Sequence, residues 1–182
     1  MSELVIGEEE LWRGSVFRVS RQRVRSADGK HFFRELVHRS DGVAVVPILP
    51  DGRVLMIREY AAGARQSLLF VPGGMTAATN ESQRQQEAQR ELREETGYRA
   101  NRLTKLWQVY EAPSIMDRRL HVYLGTHLVA DRLTSADDDE FMEVVPLTLD
   151  VAIAEVSKTD GSSASMLGAL VLAKQSLERL PR

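Results

Sequence analysis

The chain has 182 residues, 43% of them hydrophobic and 27% charged, with no cysteine and a formal net charge of −2. That is room for one domain with a proper core, and it excludes disulfides, thiolate catalysis and cysteine zinc sites. The near-neutral balance gives no broad footprint for nucleic acid, though arginine outnumbers lysine and binds small phosphates locally.

In chain order, Met1 to Glu10 is acidic and lacks the apolar core of a signal peptide. No apolar run reaches the ~20 residues of a membrane span. A soluble cytoplasmic protein is therefore expected, with no membrane partner. Residues 16–21 and 32–38 read as strands joined by the turn signal Asp28-Gly29. Val43 to Leu49 is an apolar run suited to a strand buried on both faces, and Asp51-Gly52 turns it into a second strand at 54–57. These two are expected to pair as a hairpin. Leu68 to Val71 is a short strand ending at Pro72-Gly73-Gly74, where the glycines imply a sharp turn or a close backbone approach.

A helix is expected from Glu81 to Thr96, with Asn80 or Thr79 as N-cap and Gly97 as the C′ residue. Its apolar stripe is thin, mainly Ala88 and Leu92. Glu91, Glu94 and Glu95 share one face, because positions three and four apart stack on a helix. Like charges there cost a few tenths of a kcal/mol per pair. A hard divalent cation would offset that cost, and so would ion pairs with Arg90 and Arg93 on a solvated face. Strands follow at 103–110, 120–128 and 141–147, with the acidic tract 137–140 before the last. Helices are expected at 149–156 and 162–179. The four histidines (31, 38, 121 and 127) include no pair at helical metal spacing. Strands, helix, strands and helices in that order describe an α+β sandwich with a mixed sheet.

The run Arg90-Glu91-Leu92-Arg93-Glu94-Glu95-Thr96-Gly97-Tyr98, placed after Gly73-Gly74, resembles the second half of the Nudix hydrolase signature. The first half departs from it. The signature's glutamate and glycine positions hold Ser82 and Thr76, while Glu81 and Gly74 stand one and two places earlier, as after a two-residue insertion within 75–80. The resemblance implies an α/β/α sandwich with a mixed central sheet over residues 40–182, and an N-terminal antiparallel β extension over 1–39 that serves as a dimerisation arm. It implies Mg²⁺, or Mn²⁺ in its place, on Glu91 and Glu95, with Glu94 as a further catalytic ligand and the carbonyl of Gly73 joining them. Arg90 would orient a carboxylate. Such ions suit hydrolysis of a pyrophosphate, where charge on crowded oxygens repels an anionic nucleophile.

Arg58-Glu59-Tyr60 and Pro113, sixteen residues past Gly97, resemble the ADP-ribose and nucleoside diphosphate sugar pyrophosphatase group; Ala112-Pro113-Ser114 lacks the Pro-Gly-Phe of many members and is closer to the ADP compounds hydrolases. That implies a nucleoside diphosphate sugar substrate and a homodimer. The general base is expected on the loop 135–143, at Glu140, with Glu143 as runner-up and Glu111 third. Arg58, Pro113 and Glu111 are expected to contact substrate. Tyr60, Tyr110 and Trp107 could stack on a base or simply pack. Rival readings are a dinucleoside polyphosphate or RNA-cap pyrophosphohydrolase, and an inactive Nudix-fold binder.

Overall fold

The computed structural model describes residues 3–131, 142–158 and 160–179. They fall into two compact units, one of the described residues up to 41 with 110–119, the other of 42–109 with the described residues from 120 onward.

The smaller unit is an antiparallel sheet in the order β1 (Leu4–Arg13), β2 (Phe17–Arg25), β3 (His31–Arg39). The expected hairpin is present: Arg25 faces His31, and Gly29 takes the left-handed φ of +83° that the turn demands. The sequence reading placed no strand before residue 16; β1 adds one, because pairing with β2 satisfies the backbone of an acidic stretch that has no helical or alternating apolar pattern. Segment 110–119 joins this unit through Val37 N–H, which donates to Ile115 O at 2.8 Å, and through His38 Nδ1 and Asp117 Oδ2 at 2.5 Å.

The larger unit holds two sheets. One runs β7 (Gly73–Met75), β4 (Gly42–Pro47), β9 (Arg119–Ala130), β8 (Tyr98–Tyr110); the other runs β10 (Glu143–Leu147), β5 (Val54–Ala61), β6 (Gln66–Phe70). The first is mixed, since β4 lies parallel to β9 and antiparallel to β7. Among the described residues three helices complete it: α1 (Glu81–Thr96), α2 (Leu149–Val156) and α3 (Ala164–Glu178).

The apolar run at β4 is buried on both faces, as its composition implies. Side chains alternate across a strand. Val43 and Val45 pack with Leu55, Tyr123 and the α1 residues Ala88 and Leu92. Ala44 and Val46 pack with Met56, Val122 and residues of α2 and α3, among them Ala152, Met166 and Leu170. Helices therefore cover both faces of one strand layer, and two cores result. Full burial of a side chain such as Leu92 contributes roughly 1.5–3 kcal/mol.

The expected β4–β5 hairpin is corrected. Its turn is real: Gly52 has φ +86° and its N–H donates to Leu49 O at 2.9 Å. Only the Ile48–Val54 bridge follows before the strands part. Both edges of β4 are taken by β7 and β9, and both edges of β5 by β10 and β6, so neither has an edge left for the other.

Candidate active site

The site is built on α1. Asn80 caps it by accepting from Gln83 N–H at 3.0 Å, and Gly97, at φ +72°, closes it with its N–H on Arg93 O. Burial of Ala88 and Leu92 sets the rotation of the helix. With that stripe inward, Glu91 and Glu95, one turn apart, lie against the glycine pair of β7. The Gly73 N–H donates to Glu95 Oε2 at 2.9 Å. A Cβ on Gly74 would stand 2.4 Å from Glu91 Oε1, so a side chain there would displace the carboxylate. A Cβ on Gly73 would meet Val43 O at 2.2 Å, where β7 pairs with β4. The two glycines answer to different neighbours, one to a strand and one to a carboxylate.

Arg90 stands among the acids. Its Nη2 donates to Glu91 Oε1 at 2.5 Å and to Glu87 Oε2 at 3.0 Å, its Nε to the same Glu87 oxygen at 3.1 Å, and its Nη1 to Glu94 Oε2. The Glu91 side chain is only 13% exposed. Burial pushes its carboxyl above the usual range; Arg90 works against that, while Glu94 and Glu87 add to it. A cation of higher charge would relieve both desolvation and repulsion.

Glu81, whose role the irregular first half of the motif left open, does not join this group. Its Oε1 accepts from the Tyr123 hydroxyl at 2.9 Å and its Oε2 from Lys105 Nζ at 2.8 Å. Tyr123 is fully buried in β9, so this bond satisfies a phenol cut off from water and ties the first residue of α1 to β8 and β9. At the other end of α1, Asp131 takes Arg93 and Arg99, each at 3.2 Å, and its N–H donates to Gly97 O at 2.8 Å.

Arg58 and Glu143 face each other across the β5–β10 pair, Nε to Oε2 3.4 Å, so a proposed substrate contact and a proposed base form one ion pair. Glu111 and Pro113 belong to the smaller unit, where Glu111 meets Arg118 at 2.9 Å. Glu140 lies outside the described residues. Tyr60 is exposed and Tyr110 lies under the Arg119 guanidinium, whereas Trp107 packs on α3, a Cβ at Gly168 falling 2.6 Å from its ring. The sequence reading missed Glu87, Tyr123, Lys105 and Asp131. Only Glu87 carried a local signal, its spacing of three from Arg90.

Among the described residues, no three acidic or histidine side chains converge on a point that could hold a metal ion as they stand. Glu91 and Glu94 converge on Arg90 instead. Their chemistry nonetheless fits a hard divalent ion: carboxylate oxygens, one of them nearly buried, with a positive group already drawn to them.

A strand layer covered by helices on both faces, with a glycine pair pressed on a glutamate helix, is the arrangement of a Nudix-type fold. Residues 38–165 match the NUDIX domain model, and the chain belongs to the Nudix family. It is 31% identical over 161 residues to the ADP-ribose pyrophosphatase of Bacillus subtilis (strain 168), covering 88% of this chain and 86% of that one. It is 26% identical over 176 residues to the ADP compounds hydrolase NudE of Escherichia coli (strain K12), covering 96% and 92%. A crystal structure of an ADP compounds hydrolase superposes with a TM-score of 0.85 at 26% identity, covering 98% of this chain and 95% of the other.

Proposed function

We propose that this Nudix hydrolase cleaves the pyrophosphate of ADP-ribose or another nucleoside diphosphate sugar. Water adds to one phosphorus, the bridging P–O bond breaks, and a nucleoside monophosphate and a sugar phosphate leave, the water's proton passing to a carboxylate base. The observation that carries the reading is the contact of Gly73 and Gly74 with Glu95 and Glu91, which sets two carboxylates of the motif against a strand end. Two relatives that span most of the chain bear names in this substrate class.

In this reading Glu91, Glu94 and Glu95, with the carbonyl of Gly73, hold Mg²⁺ or Mn²⁺. When bound, the metal supplies charge neutralisation at the pyrophosphate and a more acidic water. Glu140 takes the proton, with Glu143 second. Arg90 balances the acids of α1, and Glu81 and Asp131 fasten the two ends of that helix. Arg58, Pro113 and Glu111 are assigned to the substrate. The β extension of residues 1–39, which exposes Leu4, Val5, Trp12 and Phe33, is assigned to a homodimer. The compartment is assigned as the cytoplasm; no described helix is long and apolar enough to cross a membrane.

The test is a product analysis with Mg²⁺ against ADP-ribose, GDP-mannose, NADH, diadenosine polyphosphates and capped RNA. Turnover led by ADP-ribose or a nucleotide sugar is expected. Preference for the polyphosphates or capped RNA would replace the substrate class, and tight nucleotide binding without turnover would sink the enzymatic reading.

A further inference from the structure

Glu87 belongs to none of the residues that the motif sets aside for metal or substrate, yet it makes the most extensive contact with Arg90. Its Oε2 accepts from Arg90 Nε at 3.1 Å and Nη2 at 3.0 Å, one helical turn away. The guanidinium is planar, with its N–H groups in a fixed fork. Held along the Nε–Nη2 edge by Glu87, it can aim its other N–H groups only where the plane points, and they meet Glu91 and Glu94.

This geometry has a consequence for cation binding. Glu91 and Glu94 must turn oxygens away from Arg90 before they can serve a divalent ion. Arg90 then keeps one carboxylate, Glu87, that is not needed by the ion. Without Glu87, the guanidinium has only the ligand carboxylates to satisfy it and competes for them directly. We infer that Glu87 is a positioning residue that sets divalent-cation affinity by retaining Arg90 as a scaffold rather than a competitor. The inference rests on the proposed carboxylate site for the metal. Glu87 and Arg90 are 39% and 44% exposed, so as a plain surface ion pair they would contribute little to stability and nothing to the metal.

The experiment measures Mn²⁺ binding by electron paramagnetic resonance and calorimetry in the full chain, for wild type, Glu87→Gln, Arg90→Gln and the double variant. Glu87→Gln is expected to weaken Mn²⁺ binding roughly tenfold, the usual scale for a residue behind a ligand. In the Arg90→Gln background the same change should do nothing further, since its route is gone. Excess Mn²⁺ should restore the hydrolytic rate of Glu87→Gln, and its thermal midpoint should match wild type. Unchanged Mn²⁺ affinity in Glu87→Gln overturns the inference. So does an equal loss in both backgrounds, which would reveal a through-space charge effect. Failure of the wild type itself to bind Mn²⁺ would instead bring down the metal-site reading, and this inference with it.

Discussion

Gly74 and the Glu91 carboxylate are in direct contact: a Cβ on the glycine would stand 2.4 Å from Oε1 and 2.5 Å from Cδ. The obstacle is the tip of a side chain, which can swing. Gly74→Ala should therefore keep the fold, losing about 1 kcal/mol or less, while displacing the carboxylate and lowering hydrolysis about a hundredfold. At Gly73 the obstacles are Val43 O at 2.2 Å and Ala44 Cα at 2.8 Å, both backbone. Gly73→Ala should cost stability, roughly 1–3 kcal/mol, because β7 must move off β4. Urea unfolding beside steady-state kinetics checks the pair; a fully active Gly74→Ala would refute the assignment.

Replacing Glu91 by its neutral isostere separates stability from activity. Burial, with Glu94 and Glu87 adding to it, holds its carboxyl above the ordinary value despite Arg90. The charged form is thus disfavoured in the folded protein. Glu91→Gln should raise the thermal midpoint of the metal-free protein by a few degrees, on the order of 1 kcal/mol, while abolishing metal-dependent turnover. A lower midpoint in calorimetry would show that the Arg90 pair outweighs desolvation.

Glu81 and Tyr123 make stability depend on pH at opposite ends of the scale. Lys105 first, and then Tyr123 against the opposing effect of burial, holds the Glu81 carboxyl below its ordinary value. A lowered carboxyl stabilises the fold above the unfolded value near 4.5, and the contribution fades as pH falls through the folded one. Burial, and then Glu81, pushes the Tyr123 phenol upward from 10. That contribution is complete below about pH 10 and is lost as pH rises beyond it. Chemical denaturation across pH should show Glu81→Gln flattening the acid limb and Tyr123→Phe the alkaline one. At pH 7, Tyr123→Phe should lose roughly 1 kcal/mol.

For the base, Glu140→Gln should lower kcat about a hundredfold or more with KM little changed. Glu143→Gln should cost less than tenfold, since Glu143 already faces Arg58 at 3.4 Å in a strand pair. The reverse order of effects in steady-state kinetics would transfer the role to Glu143.

Sedimentation should give twice the 20.5 kDa chain mass. Charged substitutions at Trp12 and Phe33, both exposed on the β extension, should shift it toward the monomer. A monomeric wild type would refute the dimer.

The bounds of α1 were legible because helix ends are local chemistry. Asn80 reaches Gln83 and Gly97 reaches Arg93, within one turn each. The pattern at β4 likewise announced burial on two faces. The hairpin expected of β4 and β5 failed for the complementary reason. A turn is read from four residues, but a strand's partners are chosen by every edge in the sheet, and β7, β9, β10 and β6 took them all.

The same division runs through the glutamate helix. The sequence by itself determined that Glu91, Glu94 and Glu95 share a face, since 3.6 residues per turn fix that spacing. It also marked two glycines after a strand as a close approach or a sharp turn. Only the tertiary structure decided what each meets, Val43 for one and Glu91 for the other. It also turned Glu81 away toward Tyr123, forty-two residues on. That partner is set by the packing of Ala88 and Leu92 against Val43, Val45 and Tyr123, and a contact across that distance leaves no periodic trace in the chain.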